Sequence, residues 1–439
     1  MMKRLIRGRV LDFRADPAGP DDVDALRYHT DGAILIDGGV IAASGDHADV
    51  VAQLGPGESP ELIDHRPHLI LPGFIDAHIH FPQVQVIASW GAQLMDWLNT
   101  YTFPEECRFS DPHHATRMAE AFLDRLIEVG TTTAAVFCSV HPQSAEALFA
   151  AAEARAMRII AGKVMMDRNA PDGLRDTAQS GHDDSAALIA RWHRRGRAGY
   201  AISPRFAITS TPAQLEAAGA LAAAHPDCHV QTHLSENHAE IALTAQLYPQ
   251  ARDYLDVYQR FGLVGPRSLL GHAIHLSERE LAALAETGAQ PVFCPTSNLF
   301  LGSGLYDLAR MQGRGIRSGI ATDVGAGTSY GMLATLSDSY KILQLQGQPL
   351  HPLRAFHWAT RGNAEVLGLG DRIGTLEAGT EADLVVLDAR ATPAMALRME
   401  RVETLSQELF VLQVMGDDRA IAQTYVAGRP CKPLHAAVG

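Results

Sequence analysis

The chain has 439 residues, 46% apolar and 20% charged, which excludes collagen-like, disordered and low-complexity classes and leaves room for one large domain with a smaller one. A formal charge of −13 argues against nucleic-acid backbones and anionic membrane surfaces as partners, since both are held by clustered Lys and Arg. Five scattered cysteines without a C-x-x-C exclude a disulfide framework and point to a reducing compartment.

Lys3, Arg4, Arg7 and Arg9 interrupt the first segment, so no signal peptide is read there. No run approaches the roughly 20 apolar residues of a membrane span, and a cytoplasmic location is expected. Short strands are predicted over 4–13, 32–37 and 40–44, punctuated by Gly38-Gly39. Segments 374–376, 382–387 and 421–426 near the other end have the same character. Two β-rich ends around a different middle predict a small β-sandwich domain assembled from residues 1–70 and 371–439.

The middle, 71–370, alternates. Strands are predicted over 68–78, 132–138, 158–166, 199–207, 228–233, 268–272, 290–294 and 316–322. Helical periodicity separates them, clearest at Ala115, Met118, Ala119, Phe122, Leu123 and Leu126. Further helices are expected over 144–154, 185–193, 212–224, 237–247, 278–287 and 332–345. The fold class is therefore α/β, a (β/α)8 TIM-like barrel. A doubly wound open sheet is the structural alternative, but its first strand would open into G-x-G-x-x-G, which is absent here.

A barrel carries its chemistry at the C-terminal ends of its strands. The first strand region ends in His78 and His80, which share a strand face at about 6 to 7 Å. Later strands end at His233, which opens His233-Leu234-Ser235-Glu236, at His272, and at Asp323. This donor set suits Zn²⁺ or Fe²⁺ with a position left open for water. Taken singly, His233 could be a core histidine, Asp323 a helix cap and Glu236 a first-turn acid; their joint placement on one face favours a site. His275 is read as facing a loop, His113-His114 as a helix start, and Lys163 as lying inside the third strand. Arg205, at the end of the fourth strand, stands where a metal-bridging carboxylated lysine would be needed, which argues for one metal ion.

In this order and spacing the residues resemble the amidohydrolase superfamily, in its mononuclear deaminase branch. The segments from Pro72 to Gln83, Asp96 to Glu105, Ser203 to Phe206 and Cys294 to Gly302 are similar to the members that act on guanine. The resemblance implies that His78, His80, His233 and Asp323 hold one Zn²⁺ per chain, with Fe²⁺ as the other candidate. It implies a catalytic set of Glu236 as proton shuttle, His272 holding the attacking water and Asp323 taking its proton, and a purine pocket of Gln83, Arg205 and Phe206. The implied reaction is hydrolytic deamination of guanine to xanthine and ammonia, by a homodimer with a small-molecule purine as its partner. Competing expectations are a relative acting on 8-oxoguanine, a pterin or a triazine, a binuclear cyclic-amide hydrolase, and a scaffold that has lost catalysis. The cytidine-deaminase signature, H-x-E with P-C-x-x-C, is absent.

Overall fold

The computed structural model describes residues 3–91 and 93–432. The N-terminal region supplies β1 (Arg4–Phe13), β2 (Leu26–Asp37), β3 (Val40–Asp46) and β4 (Glu61–Pro72). The middle supplies β5 (Phe74–His80), β6 (Thr131–Phe137), β7 (Arg158–Gly162), β8 (Val164–Met165), β9 (Gly199–Pro204), β10 (His229–Leu234), β11 (Ser268–His272), β12 (Gln290–Phe293) and β13 (Gly319–Ile320). Finally come β14 (Leu384–Leu387), β15 (Ile421–Val426) and β16 (Arg429–Pro430).

The strands from the two chain ends join in one seven-stranded sheet of order β16-β15-β14-β4-β1-β2-β3. Its period-two pattern sends Ile6, Ile34, Ile36, Ile70, Val386 and Tyr425 into one apolar cluster, and Leu5, Ala33, Leu35, Ala43 and Val50 into another. Segment 374–376, predicted as a strand, forms no ladder. Thr375 is instead tied down by its side chain, donating to Asp12 at 3.0 Å and accepting from Arg27 at 3.3 Å. Two unanticipated helices, Pro393–Met399 and Leu405–Met415, precede β15; Phe410 of the second packs on Tyr340 at 5.1 Å.

The middle strands pair in parallel in the order β13-β12-β11-β10-β9-β7-β6-β5, with β8 pairing β9 beside that path. Every residue of β5 and β6 is buried, as expected for a sheet covered on both faces. Helix Pro112–Glu128 lays Ala115, Met118, Ala119, Phe122, Leu123 and Leu126 into this core, and starts where Asp111 accepts from the His113 amide. Two hydrogen bonds link the first strand to the segment after the last: Asp323 N–H donates to His78 O at 3.0 Å, and His80 N–H to Val324 O at 2.8 Å. The barrel is closed at this seam.

Three strand predictions need correction. The run predicted over 68–78 belongs to two strands in two sheets, β4 and β5, because the chain breaks at Gly73. A Cβ there would lie 2.3 Å from Thr132 Oγ1, so the close crossing demands glycine. The third strand divides around Lys163, and the eighth keeps ladder pairing only at Gly319–Ile320. No helix among the described residues is long and apolar enough to cross a membrane.

Candidate active site

β5 delivers His78 and His80 to the barrel mouth, β10 delivers His233, β11 delivers His272, and Asp323 follows β13. All are buried. His78 and His80 Nε2 each stand 3.3 Å from Asp323 Oδ1, and His80 Nε2 stands 3.1 Å from His233 Nε2. Ligand atoms held tetrahedrally at about 2.0–2.1 Å from one Zn²⁺ are themselves about 3.4 Å apart, so these spacings fit a shared ion. Both ring nitrogens of His78 and Nδ1 of His80 are buried without a hydrogen-bond partner, an arrangement that is costly unless something else binds there.

The backbone pays conformational strain to present these groups. Ser235, His272 and Asp323 adopt φ of 48°, 66° and 53°, the left-handed region that costs a non-glycine residue about 1–2 kcal/mol. Gly271, by contrast, is required for space, because a Cβ there would lie 2.5 Å from His78 Cε1.

Neighbours fix the rings. His233 Nδ1–H donates to Arg205 O at 2.7 Å, which turns its Nε2 lone pair toward His80. His272 Nδ1–H donates to Asn298 Oδ1 at 3.0 Å, leaving Nε2 3.4 Å from Glu236 and 3.8 Å from Asp323. Such outer contacts set tautomer and orientation. Phe137 stacks on His80 at 4.7 Å and lies 4.9 Å from His78. Asp76 accepts from Thr322 Oγ1 at 2.5 Å and from the amides of Thr322 and His78, bracing the seam beneath the ligands.

Burial sets the protonation states. It pushes His80 down to about 3 and His233 well below the usual imidazole range, the neighbouring histidines adding to the effect on His233. Both rings are therefore neutral, as ligation requires. Burial would raise Asp323, but the His78 and His80 rings, each 3.3 Å from its Oδ1, outweigh it and keep the carboxyl well below its ordinary value. Glu236 moves the opposite way. Burial first, then the Asp323 charge, lifts it to about 8, against a hydrogen bond donated by Ser303 at 2.8 Å. One carboxylate and one carboxylic acid thus stand side by side at neutral pH.

His80, Gln83, Arg205, Phe206, His233, Glu236, His272 and Asp323 line one pocket, completed by Leu94, Trp97, Leu98, Leu301 and Ala326, with about 390 Å³ of empty space including its mouth. His78 is not on this wall but touches Asp323. Every site residue singled out from the sequence therefore converges here. Those set aside do not: Lys163 pairs with Asp176 at 2.7 Å, His275 donates to Ser303 O at 2.8 Å, and His113-His114 sit in the first turn of their helix.

Several contributors escaped the sequence reading. Glu106 is fully buried against Arg205 and Gln83, while Asn298, Ser303, Phe137 and Asp76 act behind the pocket wall. Cys294 lies near enough to His78, His272 and Asp323 to share an ion, but burial pushes its thiol well above the ordinary value and Sγ faces Val292 O at 3.6 Å. The run from Asp96 to Glu105 carried the only signal for Glu106, which directly follows it.

The fold and these donors together define a class: a (β/α)8 barrel with a candidate divalent-metal centre at its mouth. The model of the amidohydrolase family matches residues 69–431. A guanine deaminase of Escherichia coli (strain K12) is 47% identical over 430 residues, 97% of each chain. The solved structure of an E. coli guanine deaminase superposes with a TM-score of 0.94, covering 97% of this chain and 99% of that one. That of a guanine deaminase from C. acetobutylicum, with guanine bound in its active site, gives 0.87 at 28% identity, covering 98% and 99%. The chain belongs to the amidohydrolase family.

Proposed function

We propose that this chain hydrolyses guanine to xanthine and ammonia, using one divalent ion, Zn²⁺ or Fe²⁺, held by His78, His80, His233 and Asp323. The observation that carries the reading is a raised-pKa acid, Glu236, facing a neutral-imidazole and carboxylate cluster across a pocket that also holds Arg205, Gln83 and Phe206. The 47% identity to a guanine deaminase over nearly the whole chain supports the substrate.

When bound, the ion supplies the acidity that makes water a usable nucleophile near pH 7. The residues do the rest. Asp323, ionised, accepts a proton from the attacking water, and His272, its tautomer fixed by Asn298, orients that water through Nε2. As oxygen bonds to C2 and negative charge develops on N3, Glu236 gives N3 its proton. The second proton of the water goes to the departing amine and the first passes from Asp323 to Glu236, so that C2–NH2 becomes C2=O, N3 becomes N3–H and both carboxyl groups regain their starting states. Arg205 donates to the O6 and N7 edge, as guanidinium groups do to guanine elsewhere. Phe206 packs on the ring and Gln83 reads its neighbouring edge. The same reading keeps residues 71–370 as the catalytic barrel, 1–70 with 371–439 as the composite β domain, and a homodimer as the assembly.

Metal content per chain, measured beside ammonia release from guanine, adenine, cytosine and 8-oxoguanine, tests this. One equivalent of metal with guanine preferred is the expected result. Fully metallated protein that leaves guanine untouched overturns the substrate assignment.

A further inference from the structure

Glu106 lies in the short helix Phe103–Cys107 and is completely buried. Its Oε1 accepts from Gln83 Nε2 at 3.0 Å and from Arg205 Nη1 at 2.8 Å, and its Oε2 accepts from Arg205 Nη1 at 2.6 Å. The other end of the Gln83 amide is also occupied: Oε1 accepts from the Gly325 amide at 3.0 Å. A carboxylate can only accept and a peptide N–H can only donate. The Gln83 amide is therefore locked in one of its two orientations, since flipping it would set acceptor against acceptor at Glu106 and donor against donor at Gly325.

We infer that Glu106 is a specificity-determining positioning residue, which aims the donors of Arg205 and Gln83 together at a ring oxo group and so selects 6-oxopurines over 6-aminopurines. This rests on the proposed guanine reading and deepens it. Arg205 spends only Nη1 on Glu106, and Nε and Nη2 have no protein partner among the described residues. Both Arg205 and Gln83 border the pocket. With its orientation fixed, Gln83 adds the second hydrogen of Nε2 to that row of donors. A ring oxygen satisfies such a row, whereas a ring amino group opposes donor with donor, and a site with buried polar groups rejects the mismatched ligand strongly. Glu106 also neutralises Arg205, so that the guanidinium is held at the wall of a buried pocket without an unpaired charge.

The test is Glu106→Gln, nearly isosteric but carrying an NH2 that would oppose Arg205 Nη1. KM for guanine and the inhibition constant of 2,6-diaminopurine, which differs from guanine by an amino group in place of the oxo group, are measured on fully metallated enzyme. KM for guanine should rise about 30-fold, as loss of a charge-assisted contact implies, with kcat changed less than about threefold. The preference for guanine over 2,6-diaminopurine should narrow about tenfold. Glu106→Asp keeps the charge and should recover part of that preference. A purely structural role predicts a lower Tm with both constants moving together, and that result overturns the inference. Where Glu106→Gln does not fold, Glu106→Asp decides: a narrowed preference supports the assignment and an unchanged one overturns it. Wild-type enzyme inert toward guanine would instead overturn the functional reading, a result distinct from an active wild type whose preference the variants leave unmoved.

Discussion

The two ends of the same barrel strands are built on opposite principles. At the lower interior, Ile75, Ala77, Ala135, Ile160, Leu269 and Val292 form a wholly apolar cluster, in which every contact is spent on packing. Further along, the strands give way to imidazoles and carboxylates, among them His78 and His80 with ring nitrogens that lack a hydrogen-bond partner and His272 and Asp323 with left-handed backbones. The lower end specifies the shape, and the upper end holds unmet bonding capacity in a fixed geometry. A packed core is close to its own optimum, whereas the mouth leaves buried polar groups for a bound group to satisfy.

Substitutions at the two ends should therefore fail in different ways. The largest effect is expected from Glu236→Gln, which should lower ammonia release about 10³-fold while metal per chain stays the same; full activity would remove the proton-shuttle role. Leu269→Ala, at the apolar end, should cost about 3 kcal/mol of stability, read as a lower denaturant midpoint, with KM for guanine unmoved. A changed KM there would show that the two ends are not independent. Asn298→Ala should lower kcat about 10- to 100-fold, the range for removing a partner that orients a site imidazole, with metal retained and Tm nearly constant.

The smallest effect is a slope rather than a loss. Glu236 is held at about 8 against an ordinary 4.5, so between those values the folded state keeps a proton that the unfolded chain has shed, and stability falls as pH rises. His80 and His233, depressed by burial, act in the reverse sense below about 6.5, where the unfolded chain binds the protons that they refuse. From about 6.5 to 8 the raised carboxyls set the direction, Glu236 throughout and Glu240, lifted to about 7 by burial, in the lower part. Metal-free protein should lose denaturant midpoint over that interval, and Glu236→Gln should lose less; equal slopes for the two would contradict the raised value.

The legibility of the sequence follows the same division. Helices over 278–287 and 332–345 coincide with Glu278–Thr287 and Met332–Leu345, because periodic burial writes a periodic pattern, and the one over 212–224 coincides with Pro212–Ala224 through its alanines, its Thr211 cap and its leading proline. His78, His80, His233, His272 and Asp323 stood out as polar groups terminating apolar runs. Boundaries were harder. The run over 68–78 is mostly apolar, and what cuts it at Gly73 is the approach of Thr132, a contact made only after folding. Glu106 and Asn298 reach the site from neighbouring elements by long-range contacts made only after folding, Glu106 to Gln83 and Arg205 and Asn298 to His272. Nothing in the sequence separates Glu106 from Glu105 beside it, although Glu106 holds two residues of the pocket wall.

The seam between β5 and the chain after β13 has a consequence for how the molecule holds together. Of the four residues whose amides and carbonyls zip that seam, His78, His80, Asp323 and Val324, the first three are among those proposed to grip the ion. An ion held there acts as a clasp between the first strand of the ring and the last, joining points far apart along the chain, where a cross-link removes the most freedom from the open state. Without it, the ring is fastened at that place by hydrogen bonds alone. Metal removal should therefore speed hydrogen exchange at the amides of His80 and Asp323, measured against the same amides in the loaded protein.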